Sequence, residues 1–220
     1  MKKKLVALVP VRKGSVRVKH KNIKPFGNTS LLELKINNLK KVTTIDEIIV
    51  NSDCDEMLGI AEKMGVSTYK RDEYYARSII NNSDFFVHIT QNTNSENIMY
   101  SPVTCPFIKV ETYHDAIKKF NNFTNHDTLT AVFPINHHMW RDGAPINYDP
   151  KNTPSSQDLP EIFGMSYGIS IAPKELIISQ KNLIGKKPYF YKLDEYEAVD
   201  IDTEIEFEFA EFLYKKNNAS

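Results

Sequence analysis

A chain of 220 residues, 41% hydrophobic and 25% charged, has room for one substantial core and the proportions of a soluble globular protein. Its 28 basic and 28 acidic residues cancel, so no overall field draws it to nucleic acid or to an anionic membrane, and no apolar run is long enough to span a bilayer. Cys54 and Cys105 lie in no CxxC or Cys/His spacing, which excludes a disulfide framework and a zinc centre and suits reduced, buried thiols in a cytoplasmic protein.

The first expected element is a buried strand over residues 5–9. It breaks at Pro10 into Arg12, Lys13, Gly14 and Ser15, and the cationic series continues through Arg17, Lys19, Lys21 and Lys24. Nine basic residues precede the first acid, Glu33. In a neutral protein such segregation is local, and a strand running into a Gly/Ser loop rich in Lys and Arg lets backbone amides and cations surround a polyphosphate. Lys2, Lys3 and Lys4 before the apolar run imitate a secretory signal, but Arg12 and Lys13 cut the run short and no small-residue cleavage site follows. A solvated basic face is the other reading of a charge run. It does not explain why this one sits directly behind a buried-type strand.

A helix is expected over 31–39, then a strand over 45–50 ending at Asn51, Ser52 and Asp53. Met57, Leu58, Ile60, Ala61 and Met64 recur at helical spacing until Gly65 stops them. Further strands are expected over 66–70, 97–100, 129–133 and 167–172, with helices over 83–91, 108–120 and 174–180. This alternation predicts a single α/β domain, residues 1–220, with a mostly parallel sheet. Residues 146–160, with three prolines among Asn, Asp, Ser and Thr, read as a loop-like excursion. At the far end, residues 204–209 alternate as a half-exposed strand would. Thr203 and Glu206 nevertheless have capping-box spacing, and Lys215 and Lys216 suit a helix C-terminus, which favours a helix.

Ligands of open α/β sheets collect at the carboxyl ends of strands. That rule selects the loop from Arg12 to Asn22, the pair Ser52 and Asp53, and the late Asp200, Ile201, Asp202. In an extended segment Asp200 and Asp202 project to one side, so they can hold a hard cation such as Mg2+ that bridges phosphate oxygens. Spacing alone leaves open that Asp202 caps the last helix and Asp200 is a solvated loop residue; the opposed cationic loop favours the metal. No Walker-type GxxxxGK is present, and Gly14 alone is not the GxGxxG of a dinucleotide site. Adjacent His137 and His138 point in different directions and suit turn positions. No Ser/His/Asp or Cys/His nucleophile set can be located.

Residues 11–15 through Lys21 and Asn22 resemble the ARxGSKxxxxKN opening of the acylneuraminate cytidylyltransferases, which make CMP-sialic acid and related CMP-activated keto-sugar acids. Residues 48–53 resemble that family's IVSTD strand end, and Arg71 falls where its arginine follows the next strand. Thr104, Cys105 and Pro106 resemble the TSP of its QPTSP segment, and residues 200–204 its DIDT(E/P) stretch, so the resemblance runs over essentially the whole chain. It implies a Rossmann-like three-layer sandwich with a small dimerisation arm at 139–163, hence a homodimer; by sequence that arm could also be a lid or a flexible loop.

The resemblance gives the CTP triphosphate to Arg12, Ser15 and Lys21, the cytosine to Asn22 and Arg71, further nucleotide contacts to Gly14, Ser52 and Asp53, and Mg2+ to Asp200 and Asp202. Arg12, Lys21 and Asp202 would carry catalysis by alignment and charge neutralisation, as a sugar hydroxyl attacks the α-phosphorus and pyrophosphate leaves. Departures fall on the acceptor side. The lysine expected after Ser15 is Val16, with Arg17 one position along; the glutamine and arginine flanking TSP become Ser101 or Pro102 and Ile108; an arginine expected near Phe163 is Gly164. Thr104, Arg141 and Gln157 remain as acceptor candidates. Two alternatives follow: a cytidylyltransferase for an acceptor without the usual carboxylate clamp, such as another sugar or a phosphorylated metabolite, or an inactive nucleotide-binding module.

Overall fold

The computed structural model describes residues 3–15 and 17–218; Val16, at the departure in the opening motif, lies outside them, as do Met1 and Lys2. In chain order the elements are β1 (Lys3–Pro10), β2 (Pro25–Phe26), β3 (Thr29–Ser30), α1 (Leu31–Lys40), β4 (Glu47–Ser52), α2 (Asp55–Lys63) and β5 (Ser67–Lys70). After a 3-10 turn at Glu73–Ala76 come α3 (Asn82–Gln91), β6 (Ser95–Tyr100), α4 (Val110–Asn121), β7 (Thr128–Pro134), the short pair β8 (Trp140–Arg141) and β9 (Ala144–Pro145), β10 (Phe163–Pro173), α5 (Lys174–Gln180), β11 (Pro188–Lys192) and α6 (Glu204–Asn218).

Seven strands form one sheet in the order β11-β7-β10-β6-β1-β4-β5. The pairs β1/β4, β1/β6, β4/β5 and β7/β11 are parallel, whereas β10 runs antiparallel to both β6 and β7. The sheet is therefore mostly parallel, as expected, with one reversed strand inside it. β1 is buried on both faces, which is why residues 5–9 read as a continuous apolar run. Leu5, Ala7 and Val9 join the cluster built with α1, α2, α4 and α6, while Val6 and Leu8 join a second cluster with Phe86 and Ile89 of α3 and Ile177 of α5. Helices on both faces of the sheet make three layers.

Local chemistry accounts for the element boundaries. Ser30 caps α1 by accepting from the Glu33 amide, and the Glu33 carboxylate accepts from the Ser30 hydroxyl at 2.7 Å. The ambiguity over 204–209 resolves as the helix α6: the Glu206 carboxylate accepts from the Thr203 amide at 2.7 Å, and the Thr203 hydroxyl accepts from the Glu206 amide at 3.3 Å. The structure differs from the expectation in several places. β11 and the short pairs β2/β3 and β8/β9 were not foreseen, and β10 begins four residues before residue 167, with a register shift between Met165 and Ser170 inside it.

Candidate active site

The carboxyl ends of β1, β5 and β6 open onto a cavity of about 420 Å³, lined among others by Arg12, Ser15, Lys21, Asn22, Arg71, Thr104, Asp200 and Asp202. Residues from both ends of the chain thus meet there. The opening loop is shaped by His20, whose left-handed backbone (φ 53°) lets its carbonyl accept from the amides of Ile23 and Lys24. Asn22 then pins the loop, its side-chain amide donating to the Arg12 carbonyl at 3.0 Å and its own carbonyl accepting from Leu32 at the start of α1.

Lys21 is buried beneath this loop. Its ammonium donates to the Ile201 carbonyl and lies 3.6 Å from the Asp202 carboxylate, which also receives Arg17 at 2.9 Å. Burial pulls the Lys21 pKa below its ordinary value; Asp202 and Asp200 oppose the shift and Arg17 adds to it. The aspartates are held by the residue between them. Ile201 is fully buried and its amide donates to the Thr104 carbonyl at 2.9 Å, so Asp200 and Asp202 both emerge toward the cavity. Asp200 accepts a weak bond from the Cys105 thiol at 3.7 Å, and burial followed by the Asp200 charge pushes that thiol up to about 12, keeping it protonated. Among the described residues no group of three His, Cys, Asp or Glu comes together. Of the described residues, Asp200 and Asp202 bring two carboxylates to the cavity.

Arg71 is only 3% exposed. Its guanidinium donates to the Asn51 side chain at 2.6 Å and to the Asn51 carbonyl at 2.8 Å, and lies 4.9 Å from the centre of the Phe85 ring. Burial lowers its pKa to about 10, against the charge of Asp53 and with that of Arg12. The remaining candidates lie outside the lining. Gly14 stands in open space, with nothing within 4 Å of where a Cβ would be. The Ser52 hydroxyl, fully buried, accepts from the Cys54 amide at 3.0 Å, and Asp53 accepts from the Lys13 amide at 3.0 Å. Both support the opening loop and the start of α2 from behind the cavity. Arg141, on the exposed β8/β9 pair, has Asp142 at 3.9 Å, and Gln157 sits in a 3-10 turn; neither is in the lining.

A wall of the cavity went unread in the sequence. Residues 72–81, between β5 and α3, form a strap that contributes Tyr75, Arg77, Ser78 and Ile80. Arg12 holds it, donating to the Ala76 carbonyl at 3.1 Å and the Ser78 hydroxyl at 3.2 Å, and Tyr75 stacks on His88 of α3 at 3.8 Å and 10°. Tyr100 and Tyr167 also line the cavity, Tyr167 in the left-handed region (φ 55°) within the β10 register shift. No residue-type pattern marks the strap; the clustered Tyr74, Tyr75 and Arg77 were its only signal.

The chain is similar to known proteins over nearly its whole length. A protein from Campylobacter coli named post-translational flagellin modification protein B is 22% identical over 234 residues, covering 97% of this chain and 96% of that one. The pseudaminic acid cytidylyltransferase of Campylobacter jejuni subsp. jejuni is 24% identical over 229 residues and 99% of each chain. A solved CMP:2-keto-3-deoxy-manno-octonic acid synthetase complexed with CTP has the same fold, with a TM-score of 0.72 at 13% identity over 97% of this chain and 99% of that one. The family model described as Cytidylyltransferase matches residues 6–219, and with that match the chain belongs to the cytidylyltransferase family.

Proposed function

We propose that this protein transfers the cytidylyl group of CTP to the hydroxyl of a sugar, in the first instance a nonulosonic or related keto-sugar acid, with release of pyrophosphate. The observation that carries the reading is the convergence of Arg12, Arg17 and Lys21 with Asp200 and Asp202 on a single cavity. The acceptor oxygen gives up its proton to water and forms a bond to the α-phosphorus as the bridge to the β-phosphorus breaks, and the cations neutralise the charge gathering on the departing pyrophosphate. Arg12 and Lys21 serve the triphosphate, Asn22 and Arg71 frame the base, and Thr104 stands beside the aspartates. The names of the relatives, which include a pseudaminic acid cytidylyltransferase, support an acidic sugar.

Two carboxylates without a third suit Mg2+, which keeps waters and takes phosphate oxygens rather than an all-protein cage. Asp200 and Asp202 would hold it, and when bound it supplies Lewis-acid neutralisation of the phosphates. The exposed arm around Trp140 and Ile146 supports a homodimer through residues 139–163, checked by the mass in solution before and after Trp140→Glu. Buried free thiols at Cys54 and Cys105 agree with a cytoplasmic setting.

A second acceptor class has its own support. Arg141 and Gln157 stand away from the cavity, and where the family arginine is expected Gly164 packs so closely on Phe133 that a Cβ would lie 2.4 Å from its ring. Pyrophosphate release measured with CTP, Mg2+ and a panel of keto-sugar acids, neutral sugars and phosphorylated metabolites decides between them. Turnover only with acceptors lacking a carboxylate removes the first reading, and no turnover with any, together with Mg2+-independent CTP binding, favours an inactive module.

A further inference from the structure

Five cationic side chains line the cavity, and four of them are engaged. Arg12 is bonded to the strap, Arg17 and Lys21 face Asp202, and Arg71 is bonded to Asn51. Arg77 is the fifth. Among the described residues its guanidinium has no hydrogen bond and no carboxylate within ion-pair distance, and only the Tyr74 ring lies near it, at 6.0 Å.

Its backbone, by contrast, is well placed. The preceding 3-10 turn is capped by Asp72, which accepts from the Tyr74 amide at 2.7 Å, and Arg77 closes the turn with its amide on the Tyr74 carbonyl. The residues on either side of Arg77, Ala76 and Ser78, are the two that receive the Arg12 guanidinium. Arg77 is therefore flanked in the chain by the two residues that hold the arginine of the opening loop and lines the same cavity, whose five cations outnumber the carboxylates of Asp200 and Asp202. Planar guanidinium groups bind phosphate through paired N–H donors.

We propose that Arg77 is a phosphate-binding residue: with Arg12 it forms a two-arginine grip, one arm from the opening loop and one from the strap, on the polyphosphate of the nucleotide. The strap is then held to the loop twice when nucleotide is present, through the Arg12 bonds and through the shared phosphate. This inference rests on the CTP reading above and extends it to a residue that the family motifs did not mark.

The test is calorimetric binding of CTP, CMP and inorganic pyrophosphate to the wild-type protein, Arg77→Ala and Arg77→Lys. Arg77 is exposed, so neither substitution opens a core cavity. The expected result is that Arg77→Ala weakens CTP and pyrophosphate about tenfold while leaving CMP within about twofold, since a charge-assisted contact of this kind carries about that factor. Arg77→Lys should recover only part, a point charge lacking the fork. Unchanged CTP binding in Arg77→Ala overturns the proposal while leaving the CTP reading intact. Equal weakening of CMP and CTP overturns it in favour of a collapsed strap. Failure of the wild-type protein to bind CTP overturns both.

Discussion

Lys21 holds its ammonium 3.6 Å from the carboxylate of Asp202, joining the first loop of the chain to the segment just before its last helix. Strand β1 delivers one and the buried Ile201 steadies the other, and the pair marks where opposite charges meet at the mouth of the sheet.

Asp202→Ala should reduce turnover by roughly 10²–10³-fold, the range for losing one preorganised electrostatic group. The side chain is 45% exposed and its loss opens no core cavity, so the thermal midpoint should change little. Pyrophosphate release and a melting curve on the same sample provide the check; an active variant would remove Asp202 from the machinery.

The lowered pKa of Lys21 has a consequence at alkaline pH. Between its folded value and 10.5 the unfolded chain binds more protons than the folded one, so raising the pH through that window lessens the cost of burying Lys21 and favours folding. Under the proposed mechanism activity moves the other way, because a neutral amine at Lys21 would not serve phosphate. The pH profile of kcat/KM for CTP should therefore fall below the ordinary lysine range. Arg17→Ala, which removes a nearby positive charge, should carry that descending limb to higher pH; a limb that stays put or moves lower contradicts the assignment.

Arg71 should resist conservative replacement. Its two bonds to Asn51 and its place over Phe85 need a planar fork, and Lys cannot supply one. Arg71→Lys is expected to cost about 2–3 kcal/mol of stability, as for buried bonds to a charged group. Urea unfolding measures it, and a loss below about 0.5 kcal/mol, the scale of an ordinary surface change, would show the contacts to be incidental.

Gly164→Ala should destabilise, since its Cβ would fall 2.4 Å from the Phe133 ring. Overpacking of this kind costs about 1–3 kcal/mol. Adding Phe133→Leu should return part of that loss in a double-mutant cycle of denaturation midpoints. Strict additivity of the two changes would show that the ring is not the obstacle.

Much of the architecture was legible because the buried strands and helices carry one-sided or continuous apolar patterns: β1, α2 and α5 fall where their spacing puts them. β11 was not, because Pro188–Lys192 has no fully buried residue and is held by its pairing to β7, which no local pattern announces. The cavity divides the same way. The basic loop and the two late aspartates declare themselves by residue type, whereas the strap is brought to the cavity by Arg12 bonds and the Tyr75–His88 stack, both of which exist only in three dimensions. The strand-end rule led to Ser52 and Asp53 but could not tell lining from scaffolding. Their oxygens turn back to the amides of Cys54 and Lys13.

Ile201 has no atom that could touch a ligand, yet it is wedged in the core with its amide on Thr104 and its carbonyl on Lys21. The hydrophobic interior thereby acts as the gauge for the gap between two acids, so that trimming a greasy side chain at this position would detune the chemistry without removing any group that performs it.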